Sequence, residues 1–150
     1  MSESSIHLVV RRTIRASPQR VFAAWTTPEQ LMTWWGPQGV RCPSAEVDLR
    51  EGGAYRICNE MPSGDTVWIS GEFEVIDRPN KLIYTWSVEP STTTPERVTV
   101  RFEAREAGTE VVIVHERIMS EAARDQHEHG WNGCLDGLVA MLEPGSKPGG

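Results

Sequence analysis

The order of its patterned segments is the feature that most constrains how this chain can fold. About six strand-patterned segments lie between Val40 and Ile118, and one long helix-patterned segment, from Ser120 to Leu142, follows them. A curved antiparallel sheet crossed by one long helix encloses space that backbone cannot fill, so large side chains must fill that space or line a cavity. The sequence contains six tryptophans. Which of these fill the space and which line it decides what the chain can do.

Size and charge narrow the class of protein. A chain of 150 residues is expected to form one domain, which we place at residues 1–143, with the polar, Gly/Pro-rich residues 144–150 as a flexible tail. The net charge of −6 argues against nucleic acid and anionic membranes as partners, since both attract basic surfaces. No apolar run reaches the ~20 residues that a bilayer requires, and no secretory signal is visible, so we expect a cytoplasmic protein.

The three cysteines indicate free thiols rather than a metal or redox site. Cys42, Cys58 and Cys134 are widely spaced and form no CxxC pair, the arrangement that zinc sites and thioredoxin-like motifs use. No GxGxxG, GxxxxGK[ST] or GxSxG motif is present either. The sequence therefore predicts no cofactor, no metal and no nucleophile elbow.

The N-terminal part predicts one strand and two short helices. Residues Ile6–Ile14 alternate as a strand does. Ser17 and Thr27 are each followed by proline, the combination of an N-cap side chain and a first-turn proline that begins a helix. Gln30 adds the third-position side chain of a capping box to the second helix, and Gly36-Pro37 is expected to end it.

The central part predicts a sheet of consecutive antiparallel strands. Turn-forming residues separate the strand patterns at regular intervals, which favours pairing between neighbours in the sequence. Gly71 lies inside one strand and predicts a bulge or bend. The predicted strands are Val40–Leu49, Ala54–Glu60, Thr66–Ile76, Lys81–Val88, Arg97–Glu106 and Thr109–Ile118.

The last segment predicts a helix with one apolar stripe and an unusual number of glycines. Ala123, His127, Trp131, Leu135 and Leu138 follow one another at steps of three or four, which places them on one face. Each glycine within a helix costs roughly 1 kcal/mol relative to alanine. Close approach of the helix to another element, or a cavity mouth, would account for the three glycines, which are Gly130, Gly133 and Gly137.

Several stretches together resemble one family. The chain is similar to the bacterial branch of the activator of heat-shock-protein-90 ATPase homologue-like proteins, within the SRPBCC, or START and birch-pollen-allergen, superfamily of helix-grip folds. The similarity covers residues 6–142, and His129 departs from the usual pattern. It is carried by SPQRVFAAWTTPEQLMTWWGP (17–37), GGAYRI (52–57), SGEFEVIDRPNKLIYTW (70–86), RVTVRFEA (97–104) and ARDQHEHGWNGCLDGL (123–138).

The resemblance implies an α+β helix-grip fold, in which a curved antiparallel sheet of about seven strands, in the order β-α-α-β6-α, wraps around a long C-terminal helix and an apolar cavity. Superfamily members bind lipids, sterols, polyketides or plant hormones, and a few are cyclases or hydrolases. The family name also implies a chaperone partner and a role in stress, although the additional N-terminal domain of the eukaryotic co-chaperones is not expected here.

Three histidines are candidates for chemistry. His127 and His129 are two residues apart on the predicted helix and point in different directions, whereas metal-binding pairs usually stand four apart, so we expect no metal there. His127 and Trp131 have that spacing of four and predict a contact between their rings. His115 shares the apolar face of the last strand, where it is either a hydrogen-bonded core histidine or a polar anchor or general base at the cavity wall.

We therefore expect a protein that binds a small hydrophobic or aromatic molecule between sheet and helix. The alternatives are an enzyme of cyclase or hydrolase type with His115 as acid or base, and a chaperone-associated interaction module, as a monomer or a homodimer. Large aromatic side chains supply contact area in such cavities, although the same rings can fill the core. The predicted ligand-binding residues are Trp35, Tyr55, Trp68, Tyr84, Trp86, His115, His127 and Trp131.

Overall fold

The computed structural model of the protein describes residues 6–36, 39–89 and 95–143. Over these ranges the chain forms the predicted α+β fold, with elements in the predicted order. Pro37 and the tail 144–150, which was predicted to be flexible, lie outside the described residues. The elements are β1 Ile6–Ile14, α1 Pro18–Thr26, α2 Pro28–Trp34, β2 Arg41–Val47, β3 Ala54–Glu60, β4 Thr66–Asp77, β5 Lys81–Val88, β6 Glu96–Arg105, β7 Gly108–Ile118 and α3 Glu121–Leu142.

The seven strands form one antiparallel sheet in the order β1-β7-β6-β5-β4-β3-β2. Because β1 and β2 are the two edges, α1 and α2 carry the chain from one edge to the other. The backbone of α3 runs close to β1 and α2 and makes much less contact with the middle strands. Side chains must therefore fill the space between α3 and those strands. Within the described ranges, no helix has both the length and the hydropathy that crossing a bilayer requires.

The inward face of the sheet follows the predicted alternation of side chains. Val98 and Val100 on β6, and Val111 and Ile113 on β7, are fully buried. His115 continues the β7 face and is also fully buried. Residues two apart therefore share the buried face, and His115 lies on the apolar face of β7 as predicted.

Ser17 caps α1 as predicted, and Ser120, for which no cap was predicted, caps α3. The hydroxyl of Ser17 accepts the amide hydrogen of Arg20 at 3.2 Å, and the hydroxyl of Ser120 accepts that of Ala123 at 3.1 Å. The capping box predicted at α2 is wrong, because the Thr27 side chain makes no cap hydrogen bond. The Gln30 side chain accepts a hydrogen bond from the guanidinium of Arg20 instead, since this charged donor competes with the backbone amide that a capping box would use.

Glycines allow close approaches that hold α3 and the curved sheet in place. A Cβ atom on Gly137 would lie 2.5 Å from the carbonyl oxygen of Trp34, so α3 and α2 touch through backbone there. A Cβ atom on Gly71 would lie 2.0 Å from the carbonyl oxygen of Thr85, and the β4–β5 register shifts a few residues later, between Phe73 and Val75. Both positions need a residue without a side chain.

Candidate functional site

Two spaces of different size lie among the described residues between the helices and the sheet. The first, which we call the inner void, has a volume of about 20 Å³. A single water needs roughly 10–15 Å³ of such volume, so the inner void has room for about one. Aromatic rings therefore fill most of this part of the interior. The walls include Trp25, Trp35, Tyr55, Phe73, Tyr84 and Trp86.

The second space, which we call the outer cavity, lies beside the N-terminal half of α3 and has a volume of about 110 Å³. Gln126, His127 and Gly130 form its edge on α3, and Gln126 is exposed. A Cβ atom on Gly130 would meet nothing within 4 Å, so this glycine leaves the edge open. The deeper walls are Trp35, Asn59, Ile69, Trp86, Trp131 and Cys134.

The indole N–H groups distinguish Trp86 from the other buried tryptophans. Four of those groups donate hydrogen bonds. Trp25 donates to the hydroxyl of Tyr84 at 3.3 Å, and Trp34 donates to the carbonyl of Ala24 at 2.9 Å. Trp35 donates to Oδ1 of Asn59 at 2.9 Å, and Trp131 donates to Nδ1 of His115 at 3.0 Å. Trp86 is 7% exposed, and its Nε1–H has no hydrogen-bond partner among the described residues. An unpaired buried donor costs about 1–3 kcal/mol. Trp86 lies in the walls of both spaces, of which only the outer cavity can hold a guest larger than a water.

Two histidines share one carboxylate beside the outer cavity. The Nε2 atoms of His115 and His127 lie 2.7 Å and 3.1 Å from Oε1 of Glu96. The two imidazole rings stack with centroids 4.3 Å apart and an interplanar angle of 16°. These three residues, from β7, α3 and β6, form what we call the carboxylate–histidine cluster.

Hydrogen bonding fixes where the protons of His115 lie. The indole of Trp131 can only donate, and its N–H points at Nδ1 of His115. That nitrogen must therefore be the acceptor, which places the proton of the neutral ring on Nε2, where it is donated to Glu96. Burial lowers the pKa of His115 below 6.5, and the hydrogen bond to Glu96 opposes that shift. His115 is thus a neutral, fully hydrogen-bonded core histidine.

Glu96 is held as an anion by the same bonds. Burial alone raises the pKa of this carboxyl, but the hydrogen bonds from His115 and His127 outweigh burial and lower the pKa to about 2. A carboxylate only accepts hydrogen bonds, so His127 carries its proton on Nε2 as well. The Nδ1 atom of His127 has no partner among the described residues.

The cluster also has the spacing of a metal site, since its three ligand atoms lie within 4.8 Å of one another. A metal on Nε2 of His115 would require the proton of the ring to move to Nδ1, where it would face the N–H of Trp131. Metal-ligating histidines normally donate the other ring N–H to an acceptor, which is the opposite of this arrangement. The hydrogen-bonded donor set therefore does not fit a metal.

The structure brings together most, but not all, of the predicted site residues. Trp35, Trp86, Trp131 and His127 line the outer cavity, and Trp35, Trp86, Tyr55 and Tyr84 line the inner void. His115 lies behind the cavity wall, in contact with Trp86 and Trp131.

Trp68 departs from the predicted set. It precedes the buried Ile69 on β4 and so faces away from both spaces, where the guanidinium of Arg56 covers its ring at 3.9 Å. The contact predicted between His127 and Trp131 is also replaced, since the ring of His127 stacks on His115 and meets the edge of Trp86. Both results follow from packing between distant elements rather than from spacing along the chain.

Other residues of the site carried no signal in the sequence analysis. Glu96 stands at the first position of β6, and Asn59 and Gln126 were not distinguished from other polar residues of β3 and α3. Cys134 lines the outer cavity, where burial raises the pKa of its thiol to about 12. A thiol of that kind is inert as a nucleophile.

Solved structures of similar proteins share this fold. A Chromobacterium violaceum protein has 26% sequence identity over 92% of this chain and 97% of its own, with a TM-score of 0.85. A Rhizobium leguminosarum protein also has 26% identity, over 95% of this chain and 97% of its own, with a TM-score of 0.80. The AHSA1 protein of Silicibacter pomeroyi has 22% identity over 91% of this chain and 97% of its own, with a TM-score of 0.82. This third comparison shows a shared fold only.

Comparison with functionally curated proteins gives no significant match. The family model described as Activator of Hsp90 ATPase homolog 1-like protein matches residues 15–143, which include both spaces and the whole carboxylate–histidine cluster. The chain belongs to this family of activator of Hsp90 ATPase homolog 1-like proteins.

Proposed function

We propose that this protein binds a small aromatic or otherwise apolar molecule in the outer cavity, between α3 and the sheet. The family is typically ligand-binding or associated with Hsp90. One observation carries the proposal for this chain: the buried N–H of Trp86 has no partner among the described residues, and Trp86 is one of the residues that line the cavity. A guest with an acceptor atom would remove the cost of that unpaired donor.

The dimensions of the outer cavity favour a small, flat guest. An engineered apolar cavity of roughly 150 Å³ binds benzene, and the outer cavity, at about 110 Å³, is somewhat smaller. Its edge at Gln126 and Gly130 is open, so that part of a guest can extend outward. The rings of Trp35, Trp86 and Trp131 offer apolar contact area, which contributes about 25 cal/mol for each Å² buried.

The inner void does not support binding of the same kind. It has room for about one water, and the hydroxyl groups of Tyr55 and Tyr84 on its wall already have partners. A long lipid or sterol would need both spaces joined, which requires the ring of Trp86 to move. We therefore favour a ligand with one or two rings over the larger ligands that some superfamily members bind.

Gly130 provides a matched pair of variants to test this function. A leucine at position 130 has room to extend across the edge of the cavity, whereas alanine adds one methyl group where nothing lies within 4 Å. We expect phenol, anisole, indole or benzoate to change tryptophan fluorescence and to raise the melting temperature of the wild type and of Gly130→Ala. A ligand at 100 times its Kd stabilises the folded state by about 2.7 kcal/mol. Gly130→Leu should lose both responses.

Two results would contradict the proposed function. One is the absence of any response of the wild type to the four compounds. The other is equal binding by Gly130→Leu, which would place the bound molecule elsewhere. Circular dichroism of both Gly130 variants serves as the control that α3 has folded.

A further inference from the structure

We propose that His127 is a general base of the outer cavity, held by Glu96, and that the molecule bound there is a small phenol or enol whose hydroxyl gives its proton to Nδ1 of His127. This inference rests on the proposed function and names the class of its ligand. The carboxylate–histidine cluster carries it, because the cluster joins an ionised carboxylate to a histidine at the cavity edge.

The two histidines of the cluster differ in what they can still do. His115 is fully buried, and both of its ring nitrogens are engaged, with Trp131 and with Glu96. The side chain of His127 is 20% exposed and lines the cavity. Its Nε2 atom lies 3.1 Å from Oε1 of Glu96, so Nδ1 is the nitrogen left for a guest, and in the neutral ring it carries a lone pair. The acid–base role predicted for His115 therefore moves to His127.

Glu96 prepares His127 to accept a proton. A hydrogen bond from Nε2–H to a carboxylate fixes the tautomer of the ring and stabilises the imidazolium that forms when Nδ1 is protonated. Glu96 is a positioning residue here, since it acts on the guest through His127. The bond from His115 to the same carboxylate oxygen holds Glu96 in place.

Trp86 supplies the other half of the recognition. It is directly opposite Glu96 in the β5–β6 register, so the two side chains lie on the same face of the sheet. The ring centroids of Trp86 and His127 are 6.1 Å apart. Both residues line the outer cavity, so one guest can contact both rings. The unpaired N–H of Trp86 would then donate to the oxygen whose proton His127 takes.

The proton transfer balances within these groups. The O–H bond of the guest breaks, its electron pair stays on the oxygen, and the proton forms an N–H bond at Nδ1 of His127. The products are a phenolate or enolate, which accepts the hydrogen bond from Trp86, and an imidazolium, which remains bound to Glu96. The net charge of the guest and these groups does not change. Activation of an enol or phenol oxygen in this way is the first step of many condensation and group-transfer reactions.

Para-nitrophenol tests this step directly, because its phenolate is coloured and its neutral form is not. We expect the phenolate fraction of the bound probe at a fixed pH to be about tenfold larger with the wild type than with His127→Gln. Glu96→Gln should lower the phenolate fraction in the same direction. His129→Gln changes an exposed histidine two residues further along α3 and should match the wild type.

Para-nitroanisole, which has a methyl ether in place of the hydroxyl, separates binding from proton transfer. The wild type should bind para-nitrophenol more tightly than para-nitroanisole in calorimetric titrations, and His127→Gln should lose that preference while keeping its affinity for para-nitroanisole. A bound probe that ionises equally in the wild type and in His127→Gln would overturn the general base and leave the proposed function standing. Binding of indole or benzoate without binding of either nitro compound would overturn the ligand class alone.

Discussion

The inner void and the outer cavity are both walled by aromatic rings, yet they differ in whether their polar atoms already have partners. Around the inner void, the N–H of Trp25 donates to the hydroxyl of Tyr84, and the hydroxyl of Tyr55 donates to the carbonyl of Thr85. Walls whose donors and acceptors pair with each other have little to offer a guest. The rings around the inner void therefore contribute to the stability of the fold.

The outer cavity keeps polar atoms open. Among the described residues, the N–H of Trp86 has no partner, the polar contact of His127 is made through Nε2 rather than Nδ1, and both residues line the larger space. The number of aromatic residues does not separate the two regions, because Trp35 and Trp86 belong to both. His127 does separate them, because it lines the outer cavity and not the inner void. Its Nδ1 atom identifies the region in which we expect chemistry.

The largest effect expected from this comparison is the loss of stability when a ring of the inner region is removed. Trp25 is 5% exposed and packs on Trp34, Phe102 and Trp131. Trp25→Ala should lower the free energy of unfolding by about 3–5 kcal/mol, because contacts are lost and a cavity remains. Urea unfolding followed by circular dichroism measures this change.

The matched variant for the outer region is Gln126→Ala, which removes an exposed side chain from the cavity edge. Its free energy of unfolding should stay within about 0.5 kcal/mol of the wild type. A loss below about 1 kcal/mol for Trp25→Ala, where a core tryptophan should cost about 3–5 kcal/mol, would show that the inner region is not packed as described.

A second, smaller effect compares two glycines of α3. A Cβ atom on Gly137 would lie 2.5 Å from the carbonyl oxygen of Trp34, whereas one on Gly130 meets nothing within 4 Å. Gly137→Ala should therefore destabilise the protein by about 1–3 kcal/mol, because backbone must shift. Gly130→Ala should stabilise it by up to about 1 kcal/mol through helix propensity. Thermal and urea unfolding of the two variants should give opposite signs, and equal signs would contradict the difference between the two ends of α3.

The sequence predicts the fold of this chain better than the site, for a physical reason. Strand bounds, helix starts and the inward faces of β6 and β7 depend on neighbours two to four residues apart, which a pattern records. Trp68 shows the limit of that information. Val67, Trp68 and Ile69 are all apolar, so alternation alone does not say which of them points inward, and the structure buries Ile69.

The carboxylate–histidine cluster could not be read from the sequence, because it depends on the pairing of distant strands. Glu96 meets His115 only because β6 and β7 are neighbours in register, and His127 comes to the same carboxylate from α3. The role of each histidine depends on which nitrogen is engaged, and that in turn depends on Trp131. The sequence pattern favours His115 as the acid or base and predicts a ring contact and ligand binding for His127, because spacing does not record which nitrogen is engaged.

The smallest expected effect is a dependence of stability on pH that belongs to the buried half of the cluster. Burial lowers the pKa of His115 below its ordinary value of 6.5, so below pH 6.5 the unfolded chain binds a proton that the folded protein does not. Stability from this group is complete above that pH and falls as the solution is acidified, by about 1 kcal/mol for each pH unit. The pKa of Glu96 is lowered to about 2, so its contribution to stability is lost at a lower pH, as the pH falls from about 4.5 toward 2.

Urea unfolding between pH 8 and pH 5 measures the contribution of His115 apart from that of Glu96. His115→Gln keeps a donor and an acceptor without a titrating ring, and its stability should vary less with pH, whereas the exposed His129→Gln should follow the wild type. An unchanged slope in His115→Gln would mean that His115 is not held neutral, and the contrast drawn between it and His127 would then fail.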